Sequence, residues 1–524
     1  LVKLIIDRKT IGRKEMRYSS NKTKVKFLVN LFILLVIINI KTTIFATIRG
    51  DTDNDKSITA YDAYLVLKKS LDDSFEESTL QLIDIDCDTN VTAFDAFIIL
   101  KKSIADMVDN YETPEMYGAK GDGFTDDSDA FEKCMKSSVK NIVLTGDYLI
   151  KRNLTATTEK NFYNGKILCQ SENYRTLTFT NKVSFNDTIF VCDRDETGIA
   201  AHKENFEHTS NTYFVEIWGQ GGTFEECVFD NALTAIRGRI STGATEVPES
   251  LYINHCRFTE CKMPIQGYFS YVNAYNSSFK NEKDIYSGEH CIYVDAFGSE
   301  QLNVVGCKVE TYNTESGAAF QIYGKEKYKT TTVPKINIEN CNILANGIVS
   351  TDCADVSVKN TNFDAQHPQR YVYTVGEGSL LIDGGYINHS YFISYSNATA
   401  GLNPVAKNST FRIKKEITNG RSIFPYNCSN CTFINWGGYT AYNNTNIKNC
   451  TFTRDTSNVI GKYYIGVPEE ISLYIEESAF KSGDNIAYNS PGYLELKKCH
   501  YINNIGSNVS NYKEIDTIKE DIVQ

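Results

Sequence analysis

An all-β coil, a parallel β-helix of about thirteen rungs preceded by a small α-helical module, is the fold class that the sequence predicts. Three observations predict it. A six-residue motif (apolar, two variable positions, a small residue, one more variable position, apolar) recurs thirteen times between residues 185 and 501. Its copies lie about 26 residues apart, the length of one turn of a stacked solenoid. Ahead of the repeat, an acidic loop followed by an apolar helix is written twice between residues 50 and 105.

The 524 residues suffice for two or three domains, and 41% apolar content is too high for a disordered chain. Lys and Arg total 54 against 65 Asp and Glu, a net charge of -11, which excludes the basic face that a general nucleic-acid binder needs. Residues 1–46 hold 10 basic and 2 acidic groups, so the remainder is more acidic still, 44 against 63.

Residues 1–26 are rich in Lys and Arg, Phe27 to Ile40 is apolar apart from Asn30 and Asn39, and small or polar residues lead to Ala46. This order predicts a secretory signal over residues 1–46 and an extracellular protein with no membrane attachment once the signal is removed. The 14-residue apolar run falls short of the roughly 20 needed to span a bilayer. Met16 would open a signal of ordinary length, so residues 1–15 read equally well as an upstream extension.

In the first loop Asp51, Asp53, Asp55, Ser57, Thr59 and Asp62 stand at positions 1, 3, 5, 7, 9 and 12; in the second, Asp84, Asp86, Asp88, Asn90, Thr92 and Asp95 do. A hard cation taking six or more oxygens needs this spacing: alternate residues of a tight loop point inward, and the twelfth closes the cage from the first turn of a helix. Two Ca²⁺ ions are therefore expected. The segment before Asp51 supplies no entering helix. A loop with one exiting helix, duplicated in about 60 residues, resembles a dockerin, the calcium-dependent module that plugs a secreted enzyme into a cohesin on a cellulosome scaffold. The module is placed at residues 47–107, with a linker over 108–114 and the coil over 115–524. The resemblance implies a cohesin partner and gives loop positions 10 and 11, here Ala60, Tyr61, Ala93 and Phe94, a part in choosing it through an unusually apolar face. Position 6 holds Lys56 and Thr89 where Gly is usual, at a cost of about 1 kcal/mol each in a left-handed backbone.

Tyr117 to Phe131 read YGAKGDGFTDDSDAF, which resembles the opening segment of the pectate-lyase superfamily of right-handed parallel β-helices. The resemblance implies a helix that closes the open end of the coil, capped by Asp127 or Ser128 and running through Cys134, and a structural role for Asp122, Asp126 and Asp127. In the repeat itself the small position holds Cys227, Cys256, Cys307, Cys341, Cys431, Cys450 and Cys499, with Ser, Thr or Gly elsewhere. Interchange with Ser and Thr points to residues chosen for size and to mostly free thiols. Just before it, Asn276, Asn340, Asn360, Asn408, Asn430 and Asn449 form a partial ladder of stacked amides suited to a sharp turn.

Upstream of successive motifs stand AIRGR, PIQGY, CIYVD and AFQIY. With Ile236, Ile265, Ile292 and Phe320 inward, period-two alternation sends Arg237 and Arg239, Gln266 and Tyr268, Tyr293 and Asp295, and Gln321 and Tyr323 outward on consecutive turns. Aromatic faces and planar polar groups in a line suit a saccharide. Glu289 and His290 enter the same groove, which makes Glu289, His290 and Asp295 the candidate acid or base and Arg237 and Arg239 the candidate carboxylate clamps. The expected function is cleavage of a pectin-like or other acidic plant polysaccharide by β-elimination, with a further Ca²⁺ in the cleft as one way to stabilise the enolate. A glycoside hydrolase on the same scaffold and a non-catalytic carbohydrate-binding or adhesive coil stay open. The Gly-His-Gly and Asn-Thr-Asp of the polygalacturonase branch are missing, and its Arg-Ile-Lys, found at Arg412, stands without partner motifs.

Overall fold

The computed structural model describes residues 50, 52, 60–70, 83–85, 91–105, 111–170, 175–192, 213–239, 250–281, 290–295, 301–311, 318–323, 333–366, 371–389, 391–393, 402–413, 425–435, 439–441, 443–455, 463–481, 485–487, 491–502, 505–506 and 509–520. The signal expected over residues 1–46 lies outside them. The chain divides into two compact units, one up to Asp109 and one from Asn110 onward.

In the first unit α1 (Ala60–Lys69) packs on α2 (Ala93–Ala105). Ala63 and Val66 of one helix and Ala96 and Ile99 of the other occupy the same places in the duplicated unit, and with Ile83, Ile85, Val91 and Ile98 they make the core among the described residues. Lys68, Lys69 and Lys102 sit in the last turns, where cations favour the helix dipole.

The second unit is a coil of parallel strands stacked in register. Each copy of the motif makes a strand of the larger sheet, a sharp corner, and a strand of the second sheet, as Ser250–Asn254 and Arg257–Thr259 show. The last apolar position of the motif stacks from turn to turn: Phe190, Phe229, Phe258 and Phe279 lie ring over ring at 4.8–4.9 Å with planes 4° apart. Tyr111–Glu112 already pairs with Asn141 and Ile142, so the coil starts inside the stretch that composition marks as linker.

At the corner, the residue before the small position is left-handed in all thirteen copies, with φ from 45° to 86°. Asn tolerates this conformation, and its amide pays back a bond to the neighbouring turn: Asn449 Nδ2 donates to Asn430 Oδ1 at 2.9 Å, and Asn430 to Asn408 at 3.0 Å. Glu477 holds the same corner at φ 53° with no such amide. Glu477→Asn is expected to stabilise the coil by about 0.5–1 kcal/mol in urea denaturation, since the exposed ion pairs it gives up contribute little.

The small position does more than fit. The thiol of Cys256 lies 3.5 Å from the carbonyl of Asn254 and that of Cys341 lies 3.3 Å from Glu339, each bonding the residue two before it. Hydroxyls at the same place do the same, Ser277 to Tyr275 at 2.7 Å and Thr361 to Lys359 at 2.9 Å. Cys, Ser and Thr interchange because each is small and each carries a donor one bond beyond Cβ. All fourteen described cysteines are free and buried.

The open end is closed by α3 (Ser128–Lys136), whose Ala130, Phe131, Cys134 and Met135 are buried; Phe131 stacks on Phe162 at 6.0 Å. Asp127 stands at the N-cap but its carboxylate turns back to the amides of Lys120 and Gly121 at 2.7 and 3.1 Å. Asp126 takes the amide of Ser128 at 3.1 Å, and Asp122 takes those of Phe124 and Thr125. All three aspartates are spent on the turn.

Candidate functional site

Strands β1 (Arg175–Phe179), β2 (Tyr213–Ile217), β3 (Thr234–Gly238), β4 (Ile265–Gly267), β5 (Ile292–Asp295) and β6 (Phe320–Tyr323) lie in this order across the larger sheet. Ile236, Ile265, Ile292 and Phe320 are buried in register, and Arg237, Gln266, Tyr293 and Gln321 form the adjoining outward column. The column is recessed, however: Gln266 and Tyr293 are half-buried and Gln321 is 5% exposed.

Arg239 and Tyr268 lie one residue past the ends of β3 and β4. Gly267 ends β4 with φ +119°, and a Cβ there would meet the Gly238 carbonyl oxygen at 2.1 Å, so only glycine permits the turns to approach this closely. Asp295 and Tyr323 are register partners, but their side chains, like the whole of Glu289, lie outside the described residues. His290 is half-buried beside Tyr293, with ring centroids 5.8 Å apart, and its Nδ1 is 2.5 Å from the Ala318 carbonyl. A carbonyl only accepts, so Nδ1 carries the proton and the basic position of the neutral ring is Nε2.

The strongest constellation includes a residue that alternation alone passes over. Glu216, outward on β2 and paired in register with Arg237, is fully buried. Its carboxylate meets Arg175 Nε at 3.5 Å and Arg239 Nε at 3.6 Å, and the Trp218 indole N–H donates to it. The Arg237 guanidinium lies 4.5 Å from the centre of the Tyr213 ring, with Arg175 5.7 Å from the same ring, and Arg239 stands 5.0 Å from Trp218. Burial, with Arg239 and Arg175 adding to it, lowers the Arg237 pKa from its ordinary value, although a guanidinium stays charged in any working range. Among the described residues three guanidiniums are thus gathered about this one carboxylate, on a chain whose net charge is -11. Such a cluster recognises a carboxylate or similar oxyanion. The signal for Glu216 was present: YFVEIW carries the same alternation as AIRGR, one turn earlier. Arg412 stands apart, on the second sheet, paired with Asp455 at 2.8 Å.

In the first unit, the carboxylates at position 12 of the two loops, Asp62 and Asp95, are fully buried, and Asp84 is 8% exposed. Asp62 Oδ1 accepts from the amide of Thr52 and Asp95 Oδ1 from that of Ile85, both at 2.6 Å and both from loop position 2. Buried carboxylates drawn to the start of their own loops are an all-oxygen set that fits Ca²⁺. Asp51, Asp53, Asp55, Ser57, Asp86, Asp88 and Asn90 lie outside the described residues. Residues 49–104 match the dockerin type I domain. Dockerin type I modules generally bind calcium and occur in extracellular cellulosome components, so the match implies cohesin partnering and suggests cellulosome association. Of its expected docking residues, Phe94 packs against the module's core, Ala93 is exposed, and the side chains of Ala60 and Tyr61 lie outside the described residues. Among the described residues the large exposed apolar side chains of the dockerin are Tyr64 and Leu67 and their counterparts Phe97 and Leu100.

No curated protein matches the chain. Among solved structures it is similar to tailspike protein 3 of bacteriophage CBA120, at 13% identity over 80% of this chain and 62% of that one, with a TM-score of 0.32. It is also similar to PfbA, a surface adhesin of Streptococcus pneumoniae (13% identity, 78% and 93% covered, TM-score 0.33), and to an exopolygalacturonase of Thermotoga maritima (9%, 79% and 92%, TM-score 0.24). The chain spans less than two thirds of the tailspike's length. Likeness at this level concerns the fold alone. Among the described residues no helix is long and apolar enough to cross a membrane.

Proposed function

We propose that the coil cleaves an acidic plant polysaccharide by β-elimination while the dockerin holds it on a cohesin-bearing scaffold outside the cell. The observation that carries this reading is the grouping of Arg175, Arg237 and Arg239 around buried Glu216 at the head of the recessed column of Gln266, Tyr293 and Gln321. A uronate carboxylate at Arg237 and Arg239 would have its charge met as it grows toward the enolate. Tyr293 and Tyr268 would lie against the sugar rings, and Gln266, Gln321 and Tyr323 would bind hydroxyls. A base drawn from Glu289, His290 and Asp295 removes the proton α to the carboxyl; the glycosidic bond β to it breaks, the leaving oxygen takes up a proton, and an unsaturated end remains. His290 is suited to this through Nε2, since Ala318 fixes its tautomer. A Ca²⁺ in the cleft would supply further positive charge for the enolate.

Absorbance of unsaturated uronide ends, read across a panel of pectins, tests the reading. Arg237→Ala is expected to cut turnover at least about tenfold, with Arg237→Lys retaining more of it and thermal unfolding nearly unchanged. New reducing ends without absorbance would make the protein a hydrolase, and binding without either would make it a carbohydrate-binding module.

A further inference from the structure

We infer that the second sheet carries a separate groove for a neutral, hydroxyl-rich glycan, built around Asn342, Asn362 and Tyr386. The inference does not rest on the polyuronate reading, because it concerns another sheet and another charge pattern. The groove has a volume of about 280 Å³ and crosses the strands Lys308–Thr311, Asn342–Ala345, Asn362–Ala365 and Tyr386–His389. Register stacks Lys308, Asn342 and Asn362 in one outward column, and the Tyr386 amide donates to Asn362 Oδ1 at 3.1 Å, which places Tyr386 next in line. Glu310, Leu344 and Asp364 form the neighbouring column.

The chemistry differs from that of the arginine cluster in one decisive respect: among the groove's lining residues one cation, Lys308, stands against two carboxylates, Glu310 and Asp364. Lys308 Nζ meets Glu310 at 2.8 Å, and Asn388 Nδ2 donates to Asp364 at 3.1 Å. An anionic ligand would therefore gain no net attraction. What the groove presents instead is a planar amide, a second planar amide bonded to the first at 3.1 Å, and an aromatic ring that is 36% exposed, each one rung from the next, about 4.8 Å. Arg412, paired with Asp455 at 2.8 Å, lies near enough to Tyr386 to interact with it electrostatically. Leu344 adds an apolar floor. A chain of pyranose rings answers each element, with C–H faces for the ring and floor and hydroxyls for the amides.

Affinity electrophoresis of the full chain with calcium, in gels containing xylan, glucomannan or hydroxyethylcellulose, tests the inference, with polygalacturonate as the anionic comparator. At least one neutral glycan is expected to retard the protein. Tyr386→Ala and Asn362→Ala should weaken that retardation about tenfold or more, Tyr386→Phe should keep it, and Arg237→Ala should leave it unchanged. Tyr386 is exposed at the surface, so unchanged thermal unfolding of its variants separates lost binding from lost folding. The inference fails if no neutral glycan in the panel retards the protein, or if Tyr386→Ala migrates like the parent.

Discussion

With calcium chelated by EDTA, cohesin binding is expected to fall at least about a hundredfold while the coil's unfolding transition stays where it was. The asymmetry follows from how the two units are held. Among the described residues the dockerin core has eight buried apolar side chains, and among them lie the fully buried carboxylates of Asp62 and Asp95. Such charges stay ionised in a small core only when an ion and backbone amides share them, so the ion's binding energy is folding energy. Far-ultraviolet dichroism of residues 47–107 should show helix loss in EDTA and recovery with added Ca²⁺. Asp95→Ala should reproduce the loss in part at saturating Ca²⁺, because the second loop loses both the closing ligand and the acceptor for the Ile85 and Thr92 amides. Cohesin capture that persists in EDTA would contradict the role given to these loops.

Replacing Glu216 by Gln is expected to cost about 3 kcal/mol of coil stability, read from urea denaturation. The amide keeps an acceptor for the Trp218 N–H and nearly the same shape, so the loss isolates charge. It leaves Arg175 and Arg239, each with roughly a quarter to a third of its side chain exposed, without the anion that they share. The double variant Glu216→Gln with Arg239→Gln should recover part of the loss, since one unbalanced cation is then removed with its partner. A cost below about 1 kcal/mol would mean that solvent already screens the cluster.

The coil was legible because its signal repeats. Phe229, Phe258 and Phe279 announce stacking by recurring at one place in the motif, and a single strand's pattern could not have done so. The corners were legible in six asparagines, although the left-handed backbone also takes in Glu226, His255, Glu477 and Lys498, whose residue types give no hint of it. Alternation put Arg237, Gln266, Tyr293 and Gln321 in one column, but not the depth of that column, which depends on neighbours far away in sequence. Glu216 shares that difficulty: alternation in YFVEIW turns it outward beside Arg237, but its full burial and its pairing with Arg175 and Arg239 come from neighbouring turns, and Val215 lies 38 residues after its register partner Leu177, so spacing alone does not bring them together. In the dockerin, Phe94, placed by loop position as a docking residue, is half-buried against the module's core, and its ring stacks on that of exposed Phe97 with centroids 6.1 Å apart.

The buried thiols of the coil give the molecule a history. Folded, they are shut away from oxidants, and burial pushes Cys291 up to about 12 and Cys169 and Cys261 higher still, while in the stacked pairs Cys307–Cys341 and Cys431–Cys450 the thiol bond between turns raises one partner and lowers the other. Unfolded, the same side chains are ordinary reactive cysteines, spread along the chain from Cys134 to Cys499 and free to cross-link in combinations that the coil cannot accept. In air, then, a single excursion through the unfolded state is a one-way event, and the lifetime of the protein is set by how rarely it opens rather than by how favourable its closed state is. Stacking turns that open from an end are where that clock runs, and the helix that closes the first turns, with Cys134 on its own buried face, is as much a guard of chemistry as a stopper of the core.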